Sequence, residues 1–435
     1  MQFFLTTFGC KVNQYESQVI LERWTGQGHV QVADASQAEV ILVHSCAVTG
    51  KAVADLRKSV AALHRAAPDA EIVIAGCAAQ TFASELTGLG GVSRVVGLKD
   101  REQLLRGPLP FPARDSAEDH GSMLAGISRF QRARAQVKVQ DGCSHGCTYC
   151  IVPLARGAAR SREPGAVVEE VGNLLAAGYR EVSLIGINLR LYGRGLDERM
   201  DFWDLVRTLE RTFAPKWAGR ARFRLSSLDP AMLGAKAMDV IAGSRMLCPH
   251  LHLSLQSASE SVLAAMNRGH YRPGPVQEFC RELSAHLGVL ALGADLLTGF
   301  PGEEDAHFQE TLDFCSALPL TYAHVFPFSP RPGTPAAERT DPVPENVRHG
   351  RAKVLRGLAD QKRRQFWSDL VQREELTMVV EGDDPGQGMC EYYVPCRLES
   401  DAPGGAVREL LRVRPLRAGK KALVCLPLRD QDHSG

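Results

Sequence analysis

Three short apolar runs near the N-terminus, QFFLTTF, AEVILVHS and AEIVIAG, each lead into a cysteine, at Cys10, Cys46 and Cys77. Two helical patterns, ESQVILERWTGQG and VADLRKSVAALHRAA, separate them. The order β-α-β-α-β predicts a parallel sheet with helices packed on its faces. In an open parallel sheet the carboxyl ends of the strands share one edge, where ligand sites form. Three cysteines far apart in sequence therefore converge if the runs pair in parallel. Core packing does not ask for a cysteine at every strand end. The competing reading is three unrelated buried thiols, since free cysteine is a common small core residue.

A second triplet is local. In DGCSHGCTYC, Cys143, Cys147 and Cys150 fall within eight positions and the stretch has no fourth cysteine. Three thiolates can hold three irons of a four-iron, four-sulfur (4Fe-4S) cubane and leave the fourth iron open to a substrate or cofactor. The alternative is a zinc site completed by His145 or a distant residue. Zinc sites usually pair one close cysteine pair with another, and His145 lies between two of the ligands.

The rest of the chain divides by pattern. Residues 1–107 carry the first β-α alternation, and 108–130, rich in proline and polar residues, read as a linker. Over 131–365 the alternation resumes with six candidate strands, VKVQ, REVSLIGI, RFRLSSL, HLHLSL, VLALGADLLTGF and TYAHVFPF. They are separated by helices such as PGAVVEEVGNLLAAG, with Pro164 at its start and Gly178 past its end. Six such units predict a curved parallel sheet or partial barrel whose active site lies at the carboxyl ends of the strands. The cysteine triplet follows the first of these strands. A basic helical segment over 344–370 precedes short runs separated by Gly and Pro turns, so 370–430 reads as a small β-barrel. The expected class is α/β: a parallel N-terminal domain, a central partial barrel and a small C-terminal β-barrel.

Composition narrows the setting. With 44% hydrophobic and 23% charged residues among 435, the chain is globular and long enough for two or three domains. Its 51 basic and 50 acidic residues leave a formal charge of +1, so any nucleic-acid contact must come from local patches. MQFFLTTFGC has no basic leader, and LGVLALGADLLTGF is too short for a membrane span and contains Asp295, so a cytoplasmic protein with no membrane contact is expected. Twelve cysteines in a reducing compartment point to metal or redox chemistry rather than disulfides.

CSHGCTYC, with Tyr149 before its last cysteine, resembles the CxxxCxxC pattern of the radical S-adenosylmethionine enzymes. FGCKVNQYES, SCAVTGKA, AGCAAQ, CTYCIVPLARGAARSR, LSLQSASESVLAAMNRGHY, LTGFPGE and FSPRPGTPAAE extend the resemblance over nearly the whole chain, to the methylthiotransferase family. It implies two 4Fe-4S clusters, one on Cys143, Cys147 and Cys150 and an auxiliary one on Cys10, Cys46 and Cys77, with a C-terminal RNA-binding barrel of the TRAM type. It also implies that S-adenosylmethionine is bound at the open iron and cleaved to a radical that activates a carbon. The auxiliary cluster then supplies sulfur, and a second S-adenosylmethionine the methyl group. Tyr149, Arg224, Ser226, Gln256 and Gly299, at or near strand ends or the triplet, are candidates for the cofactor pocket, with ordinary turn chemistry as the rival reading. His250 and His252 share one strand face and read as hydrogen-bonded interior histidines. Cys280 and Cys315 read as core thiols, and no catalytic side chain is assigned.

GCKVNQYES resembles the group that modifies threonylcarbamoyl-adenosine beside the anticodon. The isopentenyl-adenosine group typically reads GCQMN and the ribosomal-protein group GCPKN. The implied partners are the tRNA anticodon stem-loop and an electron donor such as flavodoxin or ferredoxin. His44 and Ser45 depart from the usual Asn and Thr before the second cysteine. Arg129, Arg132, Arg134 and Lys138, with Arg408, Arg412, Arg414 and Arg417, are candidate RNA-contacting patches. A non-catalytic RNA-binding protein with structural metal sites is the competing class.

Overall fold

The computed structural model describes residues 1–108, 126–382, 384–400 and 402–428. Most of the expected linker, 109–125, lies outside them. The N-terminal sheet has the strand order β2-β1-β3-β4-β5, with β1 Gln2–Thr7, β2 Val30–Gln31, β3 Val40–Ser45, β4 Glu71–Gly76 and β5 Val92–Val96, all parallel. Helix α1 (Lys11–Gly26) follows β1, α2 (Gly50–Ala66) follows β3 and α3 (Cys77–Thr81) follows β4. Every residue of β3 is buried, as a central parallel strand covered on both faces requires. Its side chains alternate: Val40 and Leu42 join the core shared with the central domain, and Ile41 and Val43 pack with Val53, Leu56 and Val60 of α2.

In the central domain, β6 (Ala135–Lys138) is followed by a two-stranded antiparallel ribbon, β7 (Gln140–Asp141) with β8 (Arg160–Ser161). Then come β9 (Glu181–Ile185), β10 (Arg222–Leu225), β11 (His250–Gln256), β12 (Ala291–Thr298) and β13 (Leu320–Pro327). β6-β9-β10 and β11-β12-β13 are two parallel three-stranded sheets, joined between β10 and β11 by isolated bridges at Phe223/Leu247 and Leu228/Leu253. The result is one curved run of the six expected strands. The ribbon, with two-residue strands, carries no periodic signal and was not among the expected elements.

The basic helix spans Glu345–Val371. β14 (Leu376–Val380), β15 (Gln387–Cys390), β16 (Pro395–Leu398), β17 (Leu410–Ala418) and β18 (Leu423–Pro427) close a barrel in the order β14-β15-β16-β18-β17. Trp367 and Leu370 of the long helix and Ala291 of β12 belong to this barrel's core, which docks it against the central domain. Among the described residues, no helix is long and apolar enough to cross a membrane.

Candidate active site

β1, β3 and β4 pair in parallel, so Cys10, Cys46 and Cys77 emerge at one edge of the sheet. Gly9 has φ of +119°, and a Cβ there would lie 2.7 Å from the Cys46 Cβ and 3.3 Å from its Sγ. Only glycine lets the Cys10 loop pass this close to Cys46. Asn13, one turn into α1, donates from its amide to the Phe8 carbonyl at 3.1 Å and the Ser45 carbonyl at 2.9 Å, tying the two loops together. Burial pushes the Cys77 thiol up to about 12 and raises Cys46. A buried thiol with a raised pKa is a poor anion alone, and coordination to a metal reverses that preference. The Arg156 guanidinium already opposes the shift at both.

The second triplet sits after the ribbon strand β7. Asn188 donates to Cys143 Sγ at 3.6 Å, and Arg268 Nη1 to Cys147 Sγ at 3.7 Å. Burial pushes Cys150 up to about 12. His145 is turned elsewhere: its Nδ1 is 3.1 Å from Arg190 Nη2 and its ring meets His270 edge-on at 4.2 Å.

Zinc holds thiolates at about 2.3 Å, hence about 3.8 Å from one another. Among the described residues, the one group of three His, Cys, Asp or Glu with all donor atoms within 4.8 Å is His252, Asp295 and His324. Neither cysteine triplet meets that 4.8 Å limit, as a compact single-ion site would, whereas a polynuclear cluster spreads its thiolates over several irons.

Between the triplets lies a buried charge hub that the sequence does not announce. Glu16 on α1 accepts from Arg101 at 3.0 Å, Lys138 at 2.9 Å and Arg156 at 3.0 Å. Asp141 accepts from Arg101 and Arg156, each at 2.8 Å. Burial alone raises Glu16, but Arg156, Lys138 and Arg101 outweigh it and hold the carboxyl well below its usual range. Three cations against two carboxylates leave one positive charge, a counter-charge for an anionic centre. Arg156 also donates to Asn13 Oδ1 at 2.8 Å, beside the first triplet, while Asp141 stands two residues before Cys143. His44 backs the hub, with its Nδ1 2.8 Å from Ser17 Oγ and its pKa lowered by burial to about 4, so it is neutral. Ser45 donates to the Ala75 carbonyl at 2.6 Å. Both departures from the family pattern are thus absorbed into packing behind the cysteines.

The candidate pocket residues separate. Tyr149 packs half-buried among Val262, Met266, Phe300 and Phe328 beside its cysteines. Ser226 follows β10, buried, with an Oγ that has no partner. Gln256 ends β11 at φ of +67°, a strained conformation for a side chain of that size. Gly299 follows β12, where a Cβ would lie 1.9 Å from Arg348 Cγ, so close packing against the long helix accounts for it. Arg224 differs from the expectation. Its guanidinium binds Glu181 at 2.6 Å and donates to the Glu391 and Cys390 carbonyls of the C-terminal barrel, each at 3.0 Å. Arg222 does the same to Thr377 and Met389 at 2.7 and 2.9 Å. Both arginines join two domains.

The expected basic patches are also redistributed. Lys138 is buried in the hub and Arg134 is bound to Glu381 at 2.5 Å, so neither offers a free charge to RNA. Arg412 is held by Glu375 at 2.5 Å, and Arg408 lies over the Tyr179 ring at 4.0 Å. Arg397, Arg414 and Arg417 line an open depression on the barrel together with Asp384 and Glu399, and Glu399 lies 4.0 Å from Arg417, so the cations there outnumber the acids by one. His250 Nε2 and His252 Nδ1 both meet the Tyr322 hydroxyl, at 2.8 and 2.9 Å, and Asp295 bridges His252 and His324 at 3.0 and 3.2 Å. His250 and His252 are interior histidines in a polar network that reaches the exposed His324.

Comparison with known proteins agrees with this architecture. Residues 2–97 match the model described as uncharacterized protein family UPF0004, and 137–315 match the radical SAM superfamily. A threonylcarbamoyladenosine tRNA methylthiotransferase, MtaB, of Bacillus subtilis is 33% identical over 95% of this chain and 93% of its own length. A tRNA-2-methylthio-N(6)-dimethylallyladenosine synthase of Ruegeria pomeroyi is 31% identical, over 97% and 98%. Among solved structures, the radical S-adenosylmethionine methyltransferase TsrM of Kitasatospora setae, with cobalamin and a 4Fe-4S cluster bound, superposes with a TM-score of 0.58. It covers 77% of this chain and 74% of that one at 15% identity, a likeness of fold.

Proposed function

The chain belongs to the radical S-adenosylmethionine methylthiotransferases that modify tRNA, and from that premise we propose that it thiolates threonylcarbamoyl-adenosine beside the anticodon. The observation that carries the reading is the pair of open cysteine triplets set on either side of one buried hub, Glu16, Asp141 and Arg156. Cys143, Cys147 and Cys150 would hold the cluster that takes S-adenosylmethionine, and Cys10, Cys46 and Cys77 the auxiliary cluster. When bound, these groups supply the electron, the carbon radical, the sulfur and the methyl group.

The residues of the chain do the rest. The hub's surplus positive charge favours anionic centres on both sides and fixes the N-terminal sheet against the central one. Arg268, tied to Asp229 at 3.2 Å and the Ser254 carbonyl at 2.7 Å, holds a guanidinium against Cys147. Tyr149 and its apolar neighbours exclude water beside that triplet, which a reactive radical requires. Arg397, Arg414 and Arg417 offer the C-terminal barrel's charge to the anticodon stem-loop. The electron comes from a one-electron carrier such as flavodoxin or ferredoxin.

The choice of base follows relatives of the threonylcarbamoyl-adenosine class, which match at 30 to 33% identity over 89 to 97% of their own lengths. Purified holoenzyme offered tRNA bearing threonylcarbamoyl-adenosine, tRNA bearing isopentenyl-adenosine, and the small-subunit ribosomal protein should methylthiolate the first alone, by mass spectrometry. Modification of the second or third substrate in its place contradicts the reading.

A further inference from the structure

Lys11 is the residue after Cys10 and the first of α1, and its ammonium nitrogen reaches to 5.9 Å from the centroid of the Tyr393 ring. Tyr393 lies in the turn between β15 and β16 with φ of +60°, a backbone state that costs a tyrosine energy and is kept where the surroundings impose it. Arg134 and Arg224 lie over the same ring, at 5.6 and 5.3 Å, and Tyr322 lies 5.7 Å away. Gly293 of β12 makes room for Tyr322, since a Cβ there would fall 2.1 Å from its Cζ. All three domains thus contribute to one cluster of cations and aromatic rings, beside the first cysteine triplet.

The charges in this cluster are not equally matched. Arg134 is paired with Glu381, and Arg224 with Glu181. Asp295 is taken by His252 and His324. Among the described residues Lys11 has neither a hydrogen-bond acceptor nor a carboxylate in salt-bridge contact, and Glu181 and Asp295 act on it only at longer range. Lys11 is only partly buried, and an ammonium with no carboxylate in contact is open to an anion that arrives with a ligand.

We propose that Lys11 binds the threonyl carboxylate of the substrate base, with the Tyr393 and Tyr322 rings bordering the arm that carries it. The inference rests on the threonylcarbamoyl-adenosine reading and names the group that enforces it. The threonyl arm ends in a free α-carboxylate, ionised at neutral pH. A dimethylallyl arm is a hydrocarbon and would leave the ammonium desolvated and unpaired, so one side chain both attracts the right base and penalises the wrong one.

The test uses reconstituted holoenzyme and anticodon stem-loop RNA bearing threonylcarbamoyl-adenosine, as the free acid or as its methyl ester. The ester should bind wild type roughly 10- to 100-fold more weakly than the acid, in fluorescence anisotropy and in KM. Lys11→Gln should weaken binding of the acid by a similar factor with no further loss for the ester, and Lys11→Arg should restore the preference. If Lys11→Gln weakens acid and ester equally, or leaves the acid unaffected, the proposal is wrong and Lys11 serves the neighbouring thiol site or the fold. Should that variant fail to retain iron, the wild-type comparison decides alone, and equal binding of acid and ester overturns the proposal. Failure of the underlying reading looks different: wild type would thiolate the dimethylallyl-bearing RNA and leave the threonylcarbamoyl one untouched, before any variant is made.

Discussion

Replacing Cys143, Cys147 and Cys150 together with alanine is expected to leave about half of the iron per chain and to abolish reductive cleavage of S-adenosylmethionine. The triplet is the only three-cysteine set within eight residues of the sequence, and three thiolates leave one iron of a cubane open. Replacing Cys10, Cys46 and Cys77 instead should also halve the iron, yet cleavage should persist while sulfur transfer to tRNA disappears. The two variants separate because the sets lie on different elements: one on the strand-end edge of the N-terminal sheet, the other after β7 in the central domain. Iron and sulfide analysis, with chromatography of deoxyadenosine and of the digested tRNA, reads both. Sulfur transfer by the second variant would show that the N-terminal cysteines are packing residues.

The second large effect falls on stability. Glu16→Gln removes one of two carboxylates that face Arg101, Lys138 and Arg156 in a fully buried site. Breaking a buried ion pair by removing one partner costs about 3–5 kcal/mol, because the remaining charges stay out of water without compensation. Urea denaturation should show a midpoint lowered by that amount of stability with little change in slope. The pH dependence has a fixed sign. Both Glu16 and Asp141 are held below their ordinary values of 4.5 and 3.8 in the folded state. Their contribution is therefore complete above those values and is lost as pH falls through the depressed folded values. Glu16→Gln should flatten this acid limb, and an unchanged limb would place the acid sensitivity elsewhere.

The sequence makes legible what repeats locally. Apolar runs of strand length, the helix caps at Pro164 and Gly178, and the Gly- and Pro-punctuated C-terminal runs carry short-range periodicity, and the strands and helices formed where that periodicity lies. The cysteines at strand ends were visible because parallel pairing converts position along each run into position along an edge. The hub was not visible. Glu16, Arg101, Lys138, Asp141 and Arg156 are spread over 140 positions, and each looks alone like the polar face of a helix or the end of a strand. By sequence Lys138 belongs to an RNA-facing patch, because a lysine is seldom fully buried; here two carboxylates make that burial tolerable. Arg224 looked like a pocket residue by its place near a strand end. The structure shows its hydrogen bonds directed to Glu181 and to the backbone of a barrel more than 160 residues away, a contact without local signal. Lys11 drew notice only as part of a motif, because its isolation from any carboxylate is a property of three domains together.

On the proposed function, two cysteine triplets share one reaction, the N-terminal set giving sulfur to a base that the other set's chemistry has activated. Sulfur tracing tests it most directly. Holoenzyme would be reconstituted with heavy-isotope sulfide, freed of excess, and given one turnover with tRNA bearing threonylcarbamoyl-adenosine in the absence of other sulfide. The predicted result is heavy sulfur in the methylthio group of that base for wild type, and none for the Cys10, Cys46 and Cys77 triple variant. Heavy sulfur delivered equally by that variant, or light sulfur in the methylthio group made by wild type, would contradict it.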